Sequence, residues 1–342
     1  MDATQAPDQA APLRTVAFSM SVPAGVLERF RTEFPGVEFI APNETPAPGG
    51  GHQIAPSELS PVQLAAADAL VGWNLDRETL AAAPRLRWMH AAGAGVEQFD
   101  LQGLARRAVL LTNSSGVSAP NMAEHVLGMM LALARRFPTL VRAQSRRAWR
   151  DLETHREVAE LQGQTVLVVG LGAVGRAVAE RAAALGMRVL AVRRRQGERP
   201  PSVAALFDVG ALPEALAEAD HVVVALPNTP GTRGLIDAAA FAAMKPGAMI
   251  YNVGRGSAID SAALTEALLS GRLGGAGLDV TDPEPLPADS PLWDKENVLI
   301  TAHTSGATPR YWERQSALIA ENIGRMQRGE PLRNLVDLEA GY

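Results

Sequence analysis

Cysteine is absent from the 342-residue sequence, and its absence excludes several kinds of chemistry. Without a thiol the chain can form no disulfide bond, no cysteine nucleophile and no thiolate metal site. No uncharged apolar run reaches the length of a membrane span, since the most apolar stretch is only Val126–Ala134. The net charge of −5 also argues against a general surface for nucleic acid or anionic membranes.

Other absences bound the location and the cofactors. Residues 1–12 are rich in Pro, Ala and acidic or amide groups, and they lack a basic segment followed by an apolar one. We therefore expect a flexible tail, no secretory signal peptide and a cytoplasmic enzyme. The spacing of His, Asp and Glu matches no metal site, so we expect none.

The remaining composition predicts a two-domain α/β chain. A chain of 342 residues that is 47% hydrophobic and 20% charged is long and apolar enough for two cores. Strand and helix patterns alternate from Arg14 onward and again from Thr165, which predicts parallel sheets covered by helices on both faces. We predict two doubly wound parallel-sheet domains: a flavodoxin-like substrate domain (residues 13–117 and 306–342) and a Rossmann dinucleotide-binding domain (residues 118–305).

The predicted elements follow that alternation. The first domain has strands at Thr15–Met20, Val37–Ala41, Ala69–Trp73, Leu86–Ala91 and Val109–Thr112, and helices at Ala24–Glu33, Ser60–Ala67 and Arg77–Ala82. The second has strands at Thr165–Val169, Met187–Val192, His221–Leu226, Ala248–Val253, Gly275–Val280 and Val298–Thr301. Its helices are predicted at Ala173–Leu185, Pro213–Ala219, Asp237–Met244 and Ser261–Ser270, and a final helix at Pro309–Arg328.

A long helix is predicted to begin near Ser118, which can cap it, with Pro120 in the first turn. Residues 122–134 are apolar on nearly every side, so this helix should be buried all round. That pattern favours a connector between the domains that also packs against a second subunit. Five arginines mark its polar end: Arg135, Arg136, Arg142, Arg146 and Arg147.

A glycine-rich turn is the central motif of the chain. Gly170, Gly172 and Gly175 stand in G-x-G-x-x-G spacing between the buried-type strand at 165–169 and a helix. The first glycine allows a tight turn, the second lets the backbone approach a pyrophosphate, and the third lets the helix pack on the strand. Since a strand precedes the motif and a helix follows it, the turn predicts dinucleotide binding.

Arginines occupy the position that contacts the ribose 2′ group of the dinucleotide. Arg193, Arg194 and Arg195 follow the second strand, and Arg193 lies 18 residues after Gly175 (193 − 175), near the position of the acid that binds the 2′-hydroxyl of NAD. Arginines there can grip a 2′-phosphate, so NADPH is favoured. The alternative is a solvated basic turn beside Glu198, with either NADP or NAD accepted.

Three ionisable residues follow strands of the second domain, at the edge where ligands bind in open α/β sheets. Arg255, flanked by glycines, is predicted to hold a carboxylate through two parallel hydrogen bonds. His303 is predicted to be the acid–base group. Glu284 follows the preceding strand, and a carboxylate beside an imidazole fixes its tautomer and favours its protonated form.

Other groups have two possible interpretations. The loop Gly93–Val96 either presents backbone amides to an anion or is a plain tight turn. His90 either lines the same cleft or is structural, whereas His125 is interpreted as a satisfied core or interface residue. His52 lies in a loop rich in proline and glycine and is interpreted as solvated, and His155 lies in a polar segment.

Seven segments, in this order, resemble the D-isomer-specific 2-hydroxyacid dehydrogenase family and its glyoxylate and hydroxypyruvate reductases in particular. They are A-A-G-A-G-V-E-Q-F-D, A-E-H, G-L-G-A-V-G, L-P-N-T-P-G-T, N-V-G-R-G, L-D-V-x-x-x-E-P-L and T-A-H. The resemblance implies reduction of a small 2-keto acid to the D-2-hydroxy acid, and a homodimer through the helix at residues 119–136.

The resemblance also implies roles for individual residues. Arg255 is implied to be catalytic, with Glu284 paired to His303, and the amides of Ala94 and Gly95 to bind the substrate carboxylate. Cofactor contacts are implied at Ala173, Val174, Leu226, Pro227, Thr232, Val253, Gly254 and Asp279, the last beside the nicotinamide carboxamide.

Departures from the family pattern bear on the interpretation. Arg193 replaces the usual acid, which favours NADPH, and Ala302 stands where proline usually precedes the histidine. Trp149 resembles a tryptophan that some glyoxylate reductases lend to the neighbouring subunit's pocket. A dinucleotide-sensing corepressor of similar fold would also keep the Arg, Glu and His, so it is the alternative to an enzyme; the short tails favour the enzyme.

Overall fold

The computed structural model describes residues 12–42, 44–45, 59–149, 158–194 and 197–342. The chain divides into two compact units, one made of residues up to Ser118 together with Ala307–Tyr342 and the other of Ala119–Gly306. Each unit has its own parallel sheet, which confirms the predicted α/β class with two parallel-sheet domains. The predicted N-terminal tail lies almost entirely outside the described residues.

The first unit contains a five-stranded sheet in the order β3-β1-β5-β6-β7, with every pair parallel. Counted along the chain within this sheet, the strands stand in the order 2-1-3-4-5, which is the flavodoxin-like order. The strands are β1 (Thr15–Phe18), β3 (Glu38–Ile40), β5 (Ala69–Gly72), β6 (Trp88–Ala91) and β7 (Leu110–Asn113), and β2 (Val22–Pro23) pairs with β4 (Glu44–Thr45). The described helices are α1 (Ala24–Glu33), α2 (Pro61–Ala66), α3 (Arg77–Ala82), α4 (Leu101–Arg106) and α11 (Tyr311–Gln327).

The second unit contains a seven-stranded parallel sheet in the order β10-β9-β8-β11-β12-β13-β14. The order reverses between β8 and β11, which is the switch point of a Rossmann sheet. The strands are β8 (Thr165–Val169), β9 (Arg188–Val192), β10 (Ala205–Phe207), β11 (His221–Val224), β12 (Met249–Asn252), β13 (Gly275–Leu278) and β14 (Val298–Ile300). The described helices are α5 (Ala119–Ala134), α6 (Phe137–Ser145), α7 (Ala173–Ala184), α8 (Leu212–Glu218), α9 (Ala238–Ala243) and α10 (Ser261–Leu269).

Each sheet is buried on both faces because alternate residues of its central strands enter different cores. In β8, Val166 and Val168 join one apolar cluster, while Leu167 and Val169 join the other. Successive side chains of a strand point to opposite faces, so a continuous apolar run is the sequence that a doubly covered strand needs. All five residues of β8 are buried.

The long helix of the second unit is interrupted, which corrects one prediction. Helix α5 ends at Ala134, and Arg136 adopts a left-handed conformation (φ 58°) before α6 begins at Phe137. The arginines at 142, 146 and 147 therefore belong to or follow a separate helix. Within the apolar run itself Leu131 is 42% exposed, so residues 122–134 are not buried all round within one chain. In α6, Phe137 and Val141 are 52% and 61% exposed.

Four other elements, α4, β10 and the paired short strands β2 and β4, are absent from the predicted set. Strand β10 has only partly buried residues and lies at the edge of its sheet, so its sequence carries neither alternation nor a long apolar run. The predicted strands mostly extend one or two residues too far, because apolar residues continue beyond the last ladder hydrogen bond. Helices α1 and α3 have the predicted bounds.

Candidate active site

The glycine-rich turn lies at the switch point of the second sheet, between β8 and α7. Gly170 has φ 101°, and a Cβ there would lie 2.5 Å from Ala225 O. A Cβ on Gly175 would press into Gly170 O and lie 3.0 Å from Val168 Cγ1, whereas one on Gly172 would meet nothing within 4 Å. Two glycines therefore permit close packing, and the third leaves the backbone open to a ligand.

The start of α7 presents unused hydrogen-bond donors. No side chain caps this helix, and among the described residues no acceptor faces the amides of Ala173 and Val174. The first amides of a helix, with its dipole, favour an anion. The turn and helix start thus fit a pyrophosphate.

Arg193 follows β9, the neighbour of β8, so it lies at the same edge of the sheet as the glycine turn. Its Nε and Nη2 atoms are buried, and neither has a hydrogen-bond partner in the parts of the chain that the structure describes. A buried donor without an acceptor is costly, so this side chain fits an anion better than the solvated turn that was the alternative. Arg194 is exposed, and Arg195 lies outside the described residues.

The loops after β11 and β12 touch each other beside the glycine turn. A Cβ on Gly254 would lie 2.6 Å from the backbone of Leu226, so this position needs glycine. The Thr232 hydroxyl donates to Pro227 O at 2.6 Å and accepts from Thr229 N at 2.9 Å, which holds the first loop closed. Val253 is buried.

Arg255 is held in place by a residue that the sequence analysis missed. The buried Asn252 donates to Arg255 O at 2.9 Å and accepts from Gly254 N at 3.1 Å. The Arg255 guanidinium donates to Gly254 O at 2.9 Å. The asparagine at the end of the strand in N-V-G-R-G was a possible signal, because such side chains bond nearby backbone groups.

His303 and Glu284 lie together, at the ends of the segments that follow β14 and β13. His303 Nδ1 is 2.6 Å from Glu284 Oε1, and the two side chains are 51% and 41% exposed. An ionised carboxylate only accepts, so Nδ1 carries a hydrogen and Nε2 points away from the carboxylate. Because β12, β13 and β14 are neighbours, the residues after their ends share one edge of the sheet with Arg255.

The turn that carries His303 has an unusual backbone. Ala302 and His303 have φ values of 49° and 59°, a left-handed region that residues other than glycine seldom adopt. Proline fixes φ near −65°, so the proline usual in the family cannot adopt this conformation. Asp279 is buried, and its carboxylate accepts from Thr301, Thr304 and Ser305.

In the first unit, the loop Gly93–Val96 follows β6. Asn113 Nδ2 donates to Ala94 O at 2.9 Å, and Ser114 N donates to Gly93 O at 2.9 Å. Within the described ranges, no acceptor faces the amides of Ala94 and Gly95. Two adjacent backbone donors without partners fit a carboxylate better than a plain turn.

His90 is completely buried in the first unit. Its Nδ1 lies 2.7 Å from Thr112 Oγ1 and its Nε2 lies 3.0 Å from Gln315 Nε2. Burial lowers the pKa of His90 to about 3, so the ring is neutral near pH 7. His90 is a core histidine, which answers the question that the sequence left open.

His125 and His221, the other described histidines of the second unit, have structural partners. His221 contacts Tyr251 OH at 3.1 Å and Gln164 Oε1 at 2.5 Å, and burial lowers its pKa to about 4. His125 is partly exposed, with Nε2 at 2.9 Å from Thr301 Oγ1. His52 and His155 lie outside the described residues.

Two classes of site are missing from the described part of the chain. No helix there is both long and apolar enough to cross a membrane. No three His, Asp or Glu side chains gather there as metal ligands.

A Rossmann sheet with an open glycine turn at its switch point defines a dinucleotide-binding domain, here with a histidine–glutamate pair at its ligand edge. Residues 127–305 match the family described as D-isomer specific 2-hydroxyacid dehydrogenase, NAD binding domain. This match covers more than half of the chain. The chain therefore belongs to the D-isomer specific 2-hydroxyacid dehydrogenase family, which confirms the resemblance.

The relatives of this chain include enzymes with different names. The chain is 37% identical over 279 residues to a D-3-phosphoglycerate dehydrogenase of Mycobacterium bovis, covering 80% of this chain and 52% of the relative. It thus spans about half the length of the first relatives that it matches. It is 35% identical over 280 residues to glyoxylate/hydroxypyruvate reductase B of Pectobacterium carotovorum, covering 80% and 87%.

Solved structures share the fold along almost the whole chain. A D-isomer specific 2-hydroxyacid dehydrogenase from Xanthobacter autotrophicus, in complex with NADPH and MES, is 33% identical with a TM-score of 0.78. That similarity covers 97% of this chain and 100% of the other.

Proposed function

We propose that the protein reduces a small 2-keto acid, of the size of glyoxylate or hydroxypyruvate, to the D-2-hydroxy acid with a nicotinamide dinucleotide. The 2.6 Å contact between His303 Nδ1 and Glu284 Oε1 carries this proposal. It prepares an imidazole to give up a proton at the ligand edge of a dinucleotide-binding sheet. When bound, the dinucleotide supplies the hydride.

The residues then have distinct tasks. The Arg255 guanidinium and the amides of Ala94 and Gly95 bind the substrate carboxylate, which orients the keto carbon. That carbon receives the hydride, and His303 Nε2 gives a proton to the keto oxygen. Glu284 holds the hydrogen on Nδ1 and stabilises the positive charge of the ring before the transfer; the ring is then neutral until solvent returns a proton to Nε2.

The cofactor site is proposed on the same sheet. Gly170, Gly172 and Gly175 with the amides of Ala173 and Val174 receive the pyrophosphate. The other contacts that the family implies remain predictions: Leu226, Pro227, Thr232, Val253, Gly254 and Asp279.

We propose that NADPH is preferred and that NADH is accepted more weakly, because Arg193 holds two buried donors that have no acceptor among the described residues. Arg193→Ser should raise the KM for NADPH about 10–100-fold and leave the KM for NADH within about twofold, since hydrogen bonds to charged groups contribute 1.5–3 kcal/mol. Initial rates with each cofactor measure this. Arg188→Ser is the matched control, because Arg188 lies at the other end of β9 and pairs with Glu218. Equal loss for both cofactors would remove the phosphate role.

We also propose a homodimer through residues 119–136, which contain α5, and through the α6 helix that follows. Leu131, Phe137 and Val141 are 42%, 52% and 61% exposed, an apolar surface that a second copy would cover. Trp149 is 95% exposed and is proposed to contact the partner subunit. Light scattering after size-exclusion chromatography should give a molar mass of two chains. Val141→Glu should lower the measured mass toward that of a single chain.

The decisive experiment measures NADPH and NADH oxidation with glyoxylate, hydroxypyruvate, pyruvate, phenylpyruvate and the keto acid of 3-phosphoglycerate. Turnover of the small keto acids, with D-configured product, would support the proposal. Preference for the phosphorylated acid would move the function to that of the phosphoglycerate dehydrogenase relatives. Tight dinucleotide binding with no turnover of any acid would favour the dinucleotide-sensing alternative.

A further inference from the structure

Helix α5 carries two polar side chains that contact the turn of His303, although the proposed reaction assigns them no task. Asn121 Nδ2 donates to Ser305 O at 2.8 Å, and His125 Nε2 lies 2.9 Å from Thr301 Oγ1. Both belong to the second unit, as does the turn. Since the two residues are four apart, they lie on one face of the helix.

The direction of the His125 contact follows from counting hydrogens. Thr301 Oγ1 donates its single hydrogen to Asp279 Oδ1 at 2.7 Å. It therefore accepts from His125, whose Nε2 must carry a hydrogen. Nε2 is also 3.8 Å from Asp279 Oδ1, so the imidazole faces the carboxylate as well as the hydroxyl.

Asp279 links the contact between His125 and Thr301 to the turn that carries His303. Besides Thr301, its carboxylate accepts from Thr304 N at 2.9 Å, from Ser305 N at 3.1 Å and from Ser305 Oγ. Its own backbone carbonyl accepts from His303 N at 2.6 Å. Donors within the turn thus contact both oxygens of this buried carboxylate, so Asp279 fixes the turn in addition to the cofactor contact predicted for it.

The turn requires such support. Two consecutive residues in the left-handed region cost on the order of 1–2 kcal/mol each, and they persist only where the surroundings fix them. Here the support comes from Asp279 on one side and from α5 on the other.

Gly277 explains how α5 comes close enough. A Cβ on Gly277 would lie 2.8 Å from Met129 Sδ, so the helix rests directly on this strand position. One turn earlier, His125 lies about 6 Å along the helix from Met129. Asp279 lies about 6.6 Å along the strand from Gly277 and on the same face. The distance from Met129 to His125 along the helix is close to the distance from Gly277 to Asp279 along the strand. This agreement brings the His125 imidazole over the end of the strand.

We propose that His125 is a positioning residue, which acts through Thr301 and Asp279 to hold His303 in the geometry for proton transfer. The proposal rests on the proposed function for its kinetic consequence, but not for its structural one. Asn121 supports the same turn through Ser305.

Kinetics of a double-mutant cycle test the coupling. His125→Leu should lower kcat about tenfold, because small displacements of a proton donor reduce turnover strongly, and should leave dinucleotide affinity within about twofold. His125→Gln, which keeps a donor, should recover most of the loss. In a His303→Ala background, His125→Leu should have no further effect, since it acts through His303. Glu124→Gln, an exposed neighbour on α5, is the control.

A merely structural role would give a different result: His125→Leu would lower activity by the same factor whether or not His303 is present. That outcome, or an unchanged kcat, would overturn the proposal.

Hydrogen exchange tests the same idea without a substrate. In the full-length protein, the amides of residues 303–305 should exchange faster in His125→Leu than in wild type, and at the wild-type rate in His125→Gln and Glu124→Gln. If no keto acid is turned over, the proposed function fails while this measurement still decides the positioning role. Unchanged exchange would refute it.

If His125→Leu does not fold, Thr301 offers a second pair. Thr301→Ser keeps the hydroxyl that links His125 to Asp279, whereas Thr301→Val removes it at nearly constant volume. The valine variant alone should show faster exchange of the turn and the lower kcat. Equal behaviour of the two variants would contradict the proposal.

Discussion

The molecule contains two histidines on parallel sheets whose surroundings differ completely. His90 in β6 is fully buried among Trp88, Thr112 and Gln315, and burial lowers its pKa to about 3. His303 follows β14, is half exposed and contacts a carboxylate at 2.6 Å. A position near the end of a strand therefore does not by itself make a histidine catalytic.

Two features separate these side chains. The partners of His90 are neutral hydroxyl and amide groups, which satisfy a neutral ring and leave nothing to compensate a charge. Glu284 supplies that compensation to His303, and solvent can replace the proton that the proposed reaction uses. The following predictions test this difference, from the largest expected effect to the smallest.

His303→Ala should lower kcat about 10³-fold, because it removes the proposed proton donor. His90→Gln should keep kcat within about fivefold and reduce stability by about 1–2 kcal/mol, because Thr112 and Gln315 lose their shared partner. Steady-state rates and urea unfolding of both variants measure this. A large kcat loss in His90→Gln with intact folding would place His90 in the reaction after all.

Glu284→Gln should lower kcat about 10²-fold, less than loss of the imidazole itself, because the ring remains but its charge is no longer compensated. Glu284→Asp is the matched variant: it keeps the charge but shortens the reach, so it should fall between glutamine and wild type. Equal activity of Glu284→Gln and wild type would show that the 2.6 Å contact has no part in turnover.

Acid should destabilise the protein through its buried histidines. The folded pKa values of His90 and His221, about 3 and about 4, lie below the ordinary value of 6.5. Between these limits the unfolded chain binds more protons, so the stabilisation is complete above pH 6.5 and is lost as pH falls. At pH 5 the loss is about 2 kcal/mol for each histidine.

Urea unfolding at pH 7.5 and pH 5 measures this dependence. His90→Gln and His221→Gln should each reduce the loss of unfolding free energy between pH 7.5 and pH 5 by about 2 kcal/mol, because one titrating histidine is removed. Both variants should nevertheless be less stable than wild type at pH 7.5. A profile that stays as steep in both variants would assign the acid sensitivity to other groups.

The smallest effect concerns the turn beside His303. Ala302→Gly should raise the free energy of unfolding by about 0.5–1 kcal/mol, because glycine adopts a φ of 49° without the cost that alanine bears. Ala302→Pro should destabilise the turn and lower kcat, since proline cannot adopt that φ. Thermal unfolding with rate assays compares them; improved activity of the proline variant would show that the family's turn forms here instead.

Much of this architecture was predictable because its signals are local. The apolar run of β8 followed by three spaced glycines identifies a strand, a turn and a helix from consecutive residues. The pairing of His303 with Glu284 follows from topology, since both stand after neighbouring parallel strands. Two parallel sheets, the family and this contact were therefore accessible before any coordinates.

The rest depends on distances between segments remote in sequence. Its place in an apolar helix makes His125 look like a core or interface residue, because its partner Thr301 is 176 positions away and no local pattern points to it. The division between α5 and α6 depends on one left-handed residue, Arg136, which no propensity favours. The burial of His90 likewise cannot be predicted from the sequence, because Gln315, which contacts the ring, lies 225 residues further along the chain.

Gly277 shows how a position without any side chain can bear on chemistry. It offers no functional group, yet a single added carbon would lie 2.8 Å from both Met129 Sδ and Tyr251 Cδ1 and 3.2 Å from Met129 Cβ, so the side chains that seat α5 on this strand would have to shift. A scan for reactive groups would pass over this glycine, whereas a mutational scan scored on activity tests the contact directly.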